Sequence, residues 1–303
     1  MTTAIGRTKI IKISYLHILW AEVVDTELIL DYAAKGRNGG LRPKQLRFSL
    51  SASRPNDWEL WVKSLLGLSY AGSKSKKNVL VLVNPFAGPG IAVKQYRHDI
   101  EPLLAAARCQ IRMESTRHVG YATELVQDMP DLESWDVIAC CSGDGLPYEV
   151  MNGLAKRSDA THALKNTVIA QIPCGSGNAL CKNLFDTTDV SLATLYLLKG
   201  VEQPLDLMSI TQGDKRNLSF LSQNLGFLAE CDLGTEHLRF IGGVRVIVGY
   251  FQRVLNPPKY PCEVAICYHH SDGVSGEQTD ASQKSSGSDD TRSEEHTSEL
   301  QSQ

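Results

Sequence analysis

The 303-residue sequence is poor in aromatic side chains (7%), holds no CxxC pair and has no long apolar run. Each shortage excludes something. No stretch approaches the roughly 18–20 apolar residues of a membrane-spanning helix. The opening MTTAIGRTKIIKIS has no sustained apolar segment before a small-residue cleavage site, so no signal peptide is expected. Neither charge sign is in large excess. The 31 Lys and Arg stand against 34 Asp and Glu, a net −3 with pI ≈ 6.2, which argues against a general nucleic-acid binder. The eight cysteines (109, 140, 141, 174, 181, 231, 262 and 267) form no cluster with His at zinc-binding spacing. They are expected to be reduced packing residues, with the adjacent Cys140 and Cys141 pointing to opposite faces of one strand. What is present, 42% hydrophobic and 21% charged residues, is the composition of a soluble globular protein. The length suits one large domain or two ordinary ones.

The charge is unevenly spread. Residues 271–303 hold eight acids and two bases, a balance of −6, so the body before them carries +3. That tail is rich in Ser, Gly and Asp and has no aromatic residue, and is expected to stay disordered.

Residues 1–70 are read as a β-rich segment. Short alternating strands are expected near 8–14, 16–23, 27–33 and 44–50, with the polar break Lys35–Gly40 between the last two. A helix opened by Pro55-Asn56-Asp57 follows, and Trp58, Trp61, Val62, Leu65 and Leu66 fall on one face of it. Both tryptophans are read as core residues in preference to a membrane anchor. Strands closed by a Trp-bearing helix resemble the end of a pleckstrin-homology-like module. Residues 71–77, AGSKSKK, read as a basic linker.

From residue 78 to 204 the grammar changes. NVLVLVN (78–84) is the apolar run of a strand buried on both faces. A helix is expected over 91–107, a strand over 109–115, a helix over 120–129, a strand over 135–142, a helix over 147–156, and a strand over 166–172 before a last loop and helix. Strand–loop–helix repeated four times predicts a doubly wound α/β domain with ligands at the carboxyl ends of the strands. Beyond 205, LDLMSITQ and NLSFLSQNLGFLAE look like antiparallel strands. Residues 242–255 read as helix or strand, and 261–268 as a strand.

Three Gly-rich loops fall at the expected strand ends. The first is Asn84-Pro85-Phe86-Ala87-Gly88-Pro89-Gly90, the second Ser142-Gly143-Asp144-Gly145, the third Pro173-Cys174-Gly175-Ser176-Gly177-Asn178. Small residues let backbone N–H groups approach an anion at a helix N-terminus. No Gly-Lys-Ser/Thr follows the first loop, so it is not a Walker A loop. In the second, Asp-Gly suits an ordinary turn. Equally, the carboxylate could take a proton from a substrate hydroxyl or help hold Mg²⁺ near phosphates.

NPFAGPG, SGDGLPYEVMNGL, IPCGSGNAL, LDLMS and GFLAECDL together resemble the ordered motifs of sphingosine (sphingoid long-chain-base) kinases, in the diacylglycerol-kinase-type lipid kinase superfamily. The resemblance covers about residues 78–268 and extends to ILWAEV…LDYA upstream. It implies an ATP-dependent phosphoryl transfer, with Mg²⁺, to the primary hydroxyl of a sphingoid base. Asn84, Pro85 and Phe86 would lie against the ATP phosphates, and Thr116 would line the nucleotide site. Ser142, Gly143, Gly145 and Leu146 would continue it, and Gly175, Ser176 and Gly177 would cradle phosphates. Asp144 would be the catalytic base. Asp232 would pair with the ammonium of the sphingoid base, and Arg239 and Arg245 would contact ATP. The resemblance further implies a cytoplasmic protein held peripherally on intracellular membranes. The metal ligands, the preferred base and the oligomeric state are not indicated.

The sequence departs from the family at several points. Ala87-Gly88-Pro89-Gly90 stands where the family has G-G-K-G, losing a cation and, at Pro89, a backbone donor. Pro147-Tyr148 replaces Met-His. Residues 205–270 are expected to be only the start of a β-sandwich lipid-binding domain. Arg292–Ser302, RSEEHTSELQS, resembles the translation of a sequencing-library adapter, so 292–303 are expected to be an artefact of the sequence record and 1–303 a poorly active fragment. A ceramide or diacylglycerol kinase stays open as an alternative, as does a non-catalytic membrane-surface module with a degenerate kinase domain.

Overall fold

A computed structural model describes residues 10–37, 39–50, 55–221, 223–235, 237–238, 244–254 and 259–267, with the side chains of residues 55, 56, 232, 246 and 252 outside that description. Three strands open it: β1 (Ile18–Val24), β2 (Glu27–Lys35) and β3 (Leu41–Ser49), an antiparallel sheet in the order β1-β2-β3. The strand expected over 8–14 is not formed at residues 10–14, where Ile10 is 80% exposed, and residues 8–9 lie outside the described residues. A short 3-10 turn, Tyr15–His17, stands there instead. β3 begins earlier than expected and contains Pro43, which an edge strand tolerates because one side needs no N–H.

The alternation of β1 and β2 sends side chains to two different cores. Ile18, Ala21 and Leu30 pack with Leu65 of α1 (Pro55–Tyr70). Leu19, Ala33 and Leu41 face the other way, into the main core of the chain. The small sheet is therefore the filling between α1 and the α/β domain.

Residues 71–77 do not behave as a free linker. Lys77 is buried, and its Nζ donates to the Leu198 carbonyl at 2.9 Å and to Ser73 Oγ at 2.6 Å. Lys76 sits 4.4 Å over the Trp20 ring, and Lys74 pairs with Asp136 at 2.6 Å. The cations that read as linker solubility are spent as ties. Among the described residues, those up to Tyr260 form one compact unit, and residues 261–267 fall outside it.

The α/β domain is built as expected. β4 (Asn78–Val83), β5 (Gln110–Ser115), β6 (Val137–Ser142) and β7 (Ile169–Pro173) form a parallel sheet in the order β5-β4-β6-β7. Between β4 and β5 the chain runs through α2 (Ala92–Gln95), a π turn at Tyr96–Ile100 and α3 (Glu101–Ala106). Pro102 has no N–H for the His98 carbonyl, and the helix widens so that Glu101 N–H reaches Tyr96 O. Tyr96, Ile100, Leu103 and Leu104 cover one sheet face, joined by Leu195, Leu197 and Leu198 of α8 (Val190–Lys199). The other face is covered by α4 (Tyr121–Gln127), α5 (Gly145–Ala155) and α6 (Ala160–Asn166), through Val126, Val150, Leu154 and Ala163. Helix α6 was not among the elements expected from the sequence. As expected, Cys140 and Cys141 enter opposite cores. Burial drives the Cys109 thiol up to about 11 and the Cys181 thiol up to about 12, the behaviour of inert packing residues.

The last part differs from expectation. β8 (Met208–Gln212) and β9 (Lys215–Ser219) form a hairpin, but GFLAE belongs to a helix, α9 (Phe227–Leu233). Phe227 and Cys231 recur at helical spacing, and Cys231 is buried. Residues 244–254 of the ambiguous 242–255 form α10 (Val244–Val254), with Phe227 and Tyr250 in edge contact at 5.5 Å. The strand expected over 261–268 is not formed at 261–267; Val264 and Ile266 stand exposed, with no hydrogen-bonded strand beside them among the described residues. Residue 268 and the tail 271–303, with its adapter-like end, lie outside the described residues.

Candidate active site

The parallel sheet delivers its loops to one edge. In the register, Val83 pairs with Ser115 and Cys141, and Ser142 with Pro173, so the loops after β4, β6 and β7 begin side by side. Asn84 N–H donates to Cys141 O at 3.2 Å and Thr116 N–H to Val83 O at 2.9 Å. Thr116 is buried. Asn84 Oδ1 accepts the Phe86 N–H at 2.9 Å and folds the first loop into a tight turn, leaving the Phe86 ring exposed.

The glycines of these loops pack backbone against backbone. A Cβ on Gly175 would lie 2.2 Å from Gly143 Cα, and one on Gly143 would lie 2.7 Å from Gly177 O. Gly88, at φ +52°, lies against Cys174 and Gly175 of the third loop. Gly143 and Gly175 are thus demanded by loop–loop contact, whatever else binds there. Gly145 differs: a Cβ there would meet nothing within 4 Å.

Asp144 stands where the second loop enters α5, half-buried. Its Oδ2 accepts the Ala179 N–H at 2.9 Å and its Oδ1 the Leu180 N–H at 3.0 Å. Those amides open α7 (Ala179–Phe185), so one carboxylate caps a helix from another loop. Each oxygen keeps a further lone-pair direction for a ligand hydroxyl. The fully buried Gln171 completes the clamp: its Oε1 accepts the Cys181 N–H at 2.7 Å, and its amide faces Ser142 O at 3.4 Å. Asn178 closes the third loop on itself, accepting from Gly175 N–H and donating to Gly175 O. With those bonds made, the N–H groups of Gly88, Ser176 and Gly177 have no protein acceptor among the described residues. Three free amides on converging loops are what a phosphate chain needs.

The structure thus brings together Asn84, Pro85, Phe86, Thr116, Ser142, Gly143, Asp144, Gly145, Leu146, Gly175, Ser176 and Gly177. Leu146 is buried and packs in the core under α5, so its side chain supports the loop from below. Arg245 lies in the first turn of α10, its guanidinium 3.4 Å from Thr235 Oγ1. Asp232 lies on α9, with its side chain outside the description, and Arg239 is outside the described residues.

Sequence reasoning missed three residues that hold the site in shape. Glu149 accepts the N–H groups of Gly120 and Ala122 and caps α4. Asn152 exchanges two bonds with the Leu218 backbone, at 2.9 and 2.8 Å, and fastens β9 to α5. Both lie within the motif SGDGLPYEVMNGL, and their spacing puts them on successive turns of α5. Gln171 is the single polar side chain in the run VIAQI, a signal that was legible.

A parallel sheet with three glycine loops at its carboxyl edge and a carboxylate at their centre is an α/β domain with a cradle suited to an anion such as a phosphate chain. Residues 78–210 match the diacylglycerol kinase catalytic domain. The chain is also similar to curated proteins named sphingoid long chain base kinase or sphingosine kinase. The chain is 37% identical over 252 residues to sphingoid long chain base kinase 5 of Saccharomyces cerevisiae, covering 80% of this chain and 36% of that protein. It is 36% identical to sphingoid long chain base kinase 4 of Schizosaccharomyces pombe, covering 71% and 46%. It is 37% identical to human sphingosine kinase 1, covering 58% and 48%. The chain therefore spans less than half the length of these relatives. Residues 3–71 match a domain of unknown function, DUF7493.

Proposed function

We propose that this chain transfers the γ-phosphoryl group of ATP to the primary hydroxyl of a sphingoid base, giving the 1-phosphate. The observation that carries this reading is the Asp144 carboxylate, fixed by two backbone amides at the meeting point of three glycine loops. Phosphoryl transfer needs little covalent help from a protein; it needs position and donors around the charge that moves. The free amides of Gly88, Ser176 and Gly177 would take phosphate oxygens, with Asn84, Pro85 and Phe86 forming the opposite wall and Thr116 the floor. Asp144 would accept the hydroxyl proton through its unspent lone pairs.

Among the described residues no group of three or more His, Cys, Asp and Glu side chains could hold a metal ion. Mg²⁺ therefore fits as an ion carried mainly by the ATP phosphates, with Asp144 the near carboxylate, in keeping with its habit of few protein ligands. When bound it would neutralise phosphate charge that no lysine of the first loop can reach, since Pro89 stands at the family's lysine position.

Asp232 is proposed to pair with the ammonium of the sphingoid base, and Arg239 and Arg245 to reach the nucleotide. The substrate is a membrane lipid, so a peripheral contact with intracellular membranes on the cytoplasmic side belongs to the same reading. No helix among the described residues is long and apolar enough to cross a membrane.

The experiment offers labelled ATP with sphinganine, ceramide or diacylglycerol and identifies the labelled lipid. Label on sphinganine, reduced about tenfold or more by Asp232→Asn, supports the reading, since an ammonium loses its counter-charge. Label on diacylglycerol or ceramide that is indifferent to Asp232→Asn would overturn the substrate assignment.

A further inference from the structure

The packing of the described residues leaves two surfaces open. One is the outer side of α1, where Trp61 is 43% exposed and is not the core residue expected from the sequence. That helix carries Asp57 and Glu59 as well as Lys63, a mixed charge that selects no partner. The other is the outer edge of the parallel sheet.

Strand β5 ends the order β5-β4-β6-β7. Gln110 N–H donates to Lys77 O at 3.0 Å and Thr116 N–H to Val83 O at 2.9 Å. In a parallel ladder every second residue turns both backbone groups toward its neighbour. The even-numbered residues of β5 therefore bond to β4, and Ile111, Met113 and Ser115 turn their N–H and C=O groups away from it. Those groups have no protein partner among the described residues. The strand holds no proline, and no bulge interrupts its register with β4. Such an open row is a template for a further strand.

Alternation gives the two faces of β5 different characters. Arg112 and Glu114 lie in register with Leu80 and Leu82, on the face that α4 covers. Ile111 and Met113 pack on the other face, against the main core. Beside the edge, on the α4 side, lies a cleft of about 310 Å³. Leu125 and buried Met129 give it an apolar floor, and the exposed Glu124, Asp128 and Asp131 an acidic rim. The cations nearby are engaged. Arg112 is held by Glu114 at 2.9 Å, with Asp131 at 3.8 Å, and His118 lies 3.4 Å from Glu124. Arg157 caps the end of α4 through the Val126, Gln127 and Met129 carbonyls and is paired with Asp159 at 2.7 Å. Asp128 has no ion pair among the described residues.

A strand added to this edge would send alternate side chains over the acidic cleft and the others beside Ile111 and Met113. Both faces are suited by an extended segment in which Lys or Arg alternates with apolar residues, and Leu125 and Met129 suit lysine methylenes. A second copy pairing β5 with β5 would instead bring two acidic clefts together. We infer that the β5 edge docks an extended basic–apolar segment of a partner protein, which joins the parallel sheet as a further strand. The inference does not require catalysis.

The test uses the full chain without nucleotide or lipid. A fluorescein-labelled peptide of four Lys-Val repeats is titrated with the protein by fluorescence anisotropy. One control peptide has four Glu-Val repeats, and the other has its four lysines placed before its four valines. The alternating basic peptide should bind about tenfold or more tightly than either control. The variant Asp128→Lys with Asp131→Lys should weaken that binding about tenfold or more, through reversed charge. Its melting temperature should match the parent's, because both side chains are exposed. Hydrogen exchange supplies the readout that charge attraction alone would not move. The peptide should slow exchange at the amides of Ile111, Met113 and Ser115 and leave β6 unaffected. No binding by the parent, equal binding of the controls, or binding without protection of those three amides would overturn the inference. Protection of the same amides in the free chain, rising with protein concentration, would also overturn it and assign the edge to a second copy.

Discussion

Single residues at the loop junction separate into those the fold needs and those a ligand would need. Gly175→Ala places a methyl carbon 2.2 Å from Gly143 Cα, with no flexible side chain to give way. It should cost about 3 kcal/mol and abolish ATP binding together with stability. Gly145→Ala meets open space and sits in the first turn of a helix, so denaturant midpoints should be unchanged. If the backbone at Gly145 approaches phosphate, calorimetry will show ATP affinity falling while stability holds; a loss of stability there would contradict the packing described. Asp144 belongs to both groups. An Asn side chain has one acceptor and one amide where two backbone N–H groups converge, so Asp144→Asn should cost about 1–3 kcal/mol as well as activity. From sequence alone Asp144 reads as a turn residue, a base or a holder of Mg²⁺, and nothing in SGDG announces that α7 will bring its amides to it. The convergence of the three loops was legible, from glycines placed after apolar strands. The backbone contact between Gly143 and Gly175 was not, since it depends on the sheet order.

At the scale of elements, strands and helices of the α/β domain were readable because burial on both sheet faces leaves long apolar runs. The errors fell where short segments lack that signal. Residues 227–230, the end of a stretch read as a strand, lie in a helix against α10, and residues 261–267 have strand composition with no hydrogen-bonded strand beside them among the described residues. One joint between elements is directly testable. Asn152 is the polar tie between α5 and β9, so Asn152→Ala should leave the Leu218 amide and carbonyl unsatisfied. Hydrogen exchange of amides 208–219 should accelerate well ahead of β4 and β6, and unchanged protection would contradict the role given to Asn152. A second joint titrates. Lys199 Nζ donates to Ile18 O at 2.5 Å and lies 3.4 Å over the Tyr70 ring, and burial lowers its pKa to about 7. Between that value and the ordinary lysine range the unfolded chain holds a proton that the native chain lacks, so this group makes stability rise with pH. Buried thiols act in the opposite direction at the alkaline end, so the useful quantity is the difference between parent and Lys199→Met. The parent should gain on the variant from pH 7 to 9; a constant difference would contradict the assignment.

At the scale of the molecule, the boundary expected at residues 71–77 is a seam inside one body. Leu19, Ala33 and Leu41 contribute to the same core as Leu103 and Leu198, and Arg108 reaches across to Glu22 at 2.6 Å and Asp31 at 3.1 Å. Composition shows a polar, lysine-rich stretch and cannot show that its lysines are engaged. A protease site inserted between Gly72 and Ser73 and cleaved should leave both fragments together on gel filtration, melting in one transition. Separation would show an independent tethered module. The central claim is tested most directly by single-turnover transfer from ATP to sphinganine, comparing the parent with Asp144→Asn at matched ATP occupancy below both melting temperatures. Transfer slower by about 10²–10⁴ in the variant is the expected result. A variant rate within a few-fold of the parent's would contradict the role of Asp144 as the base.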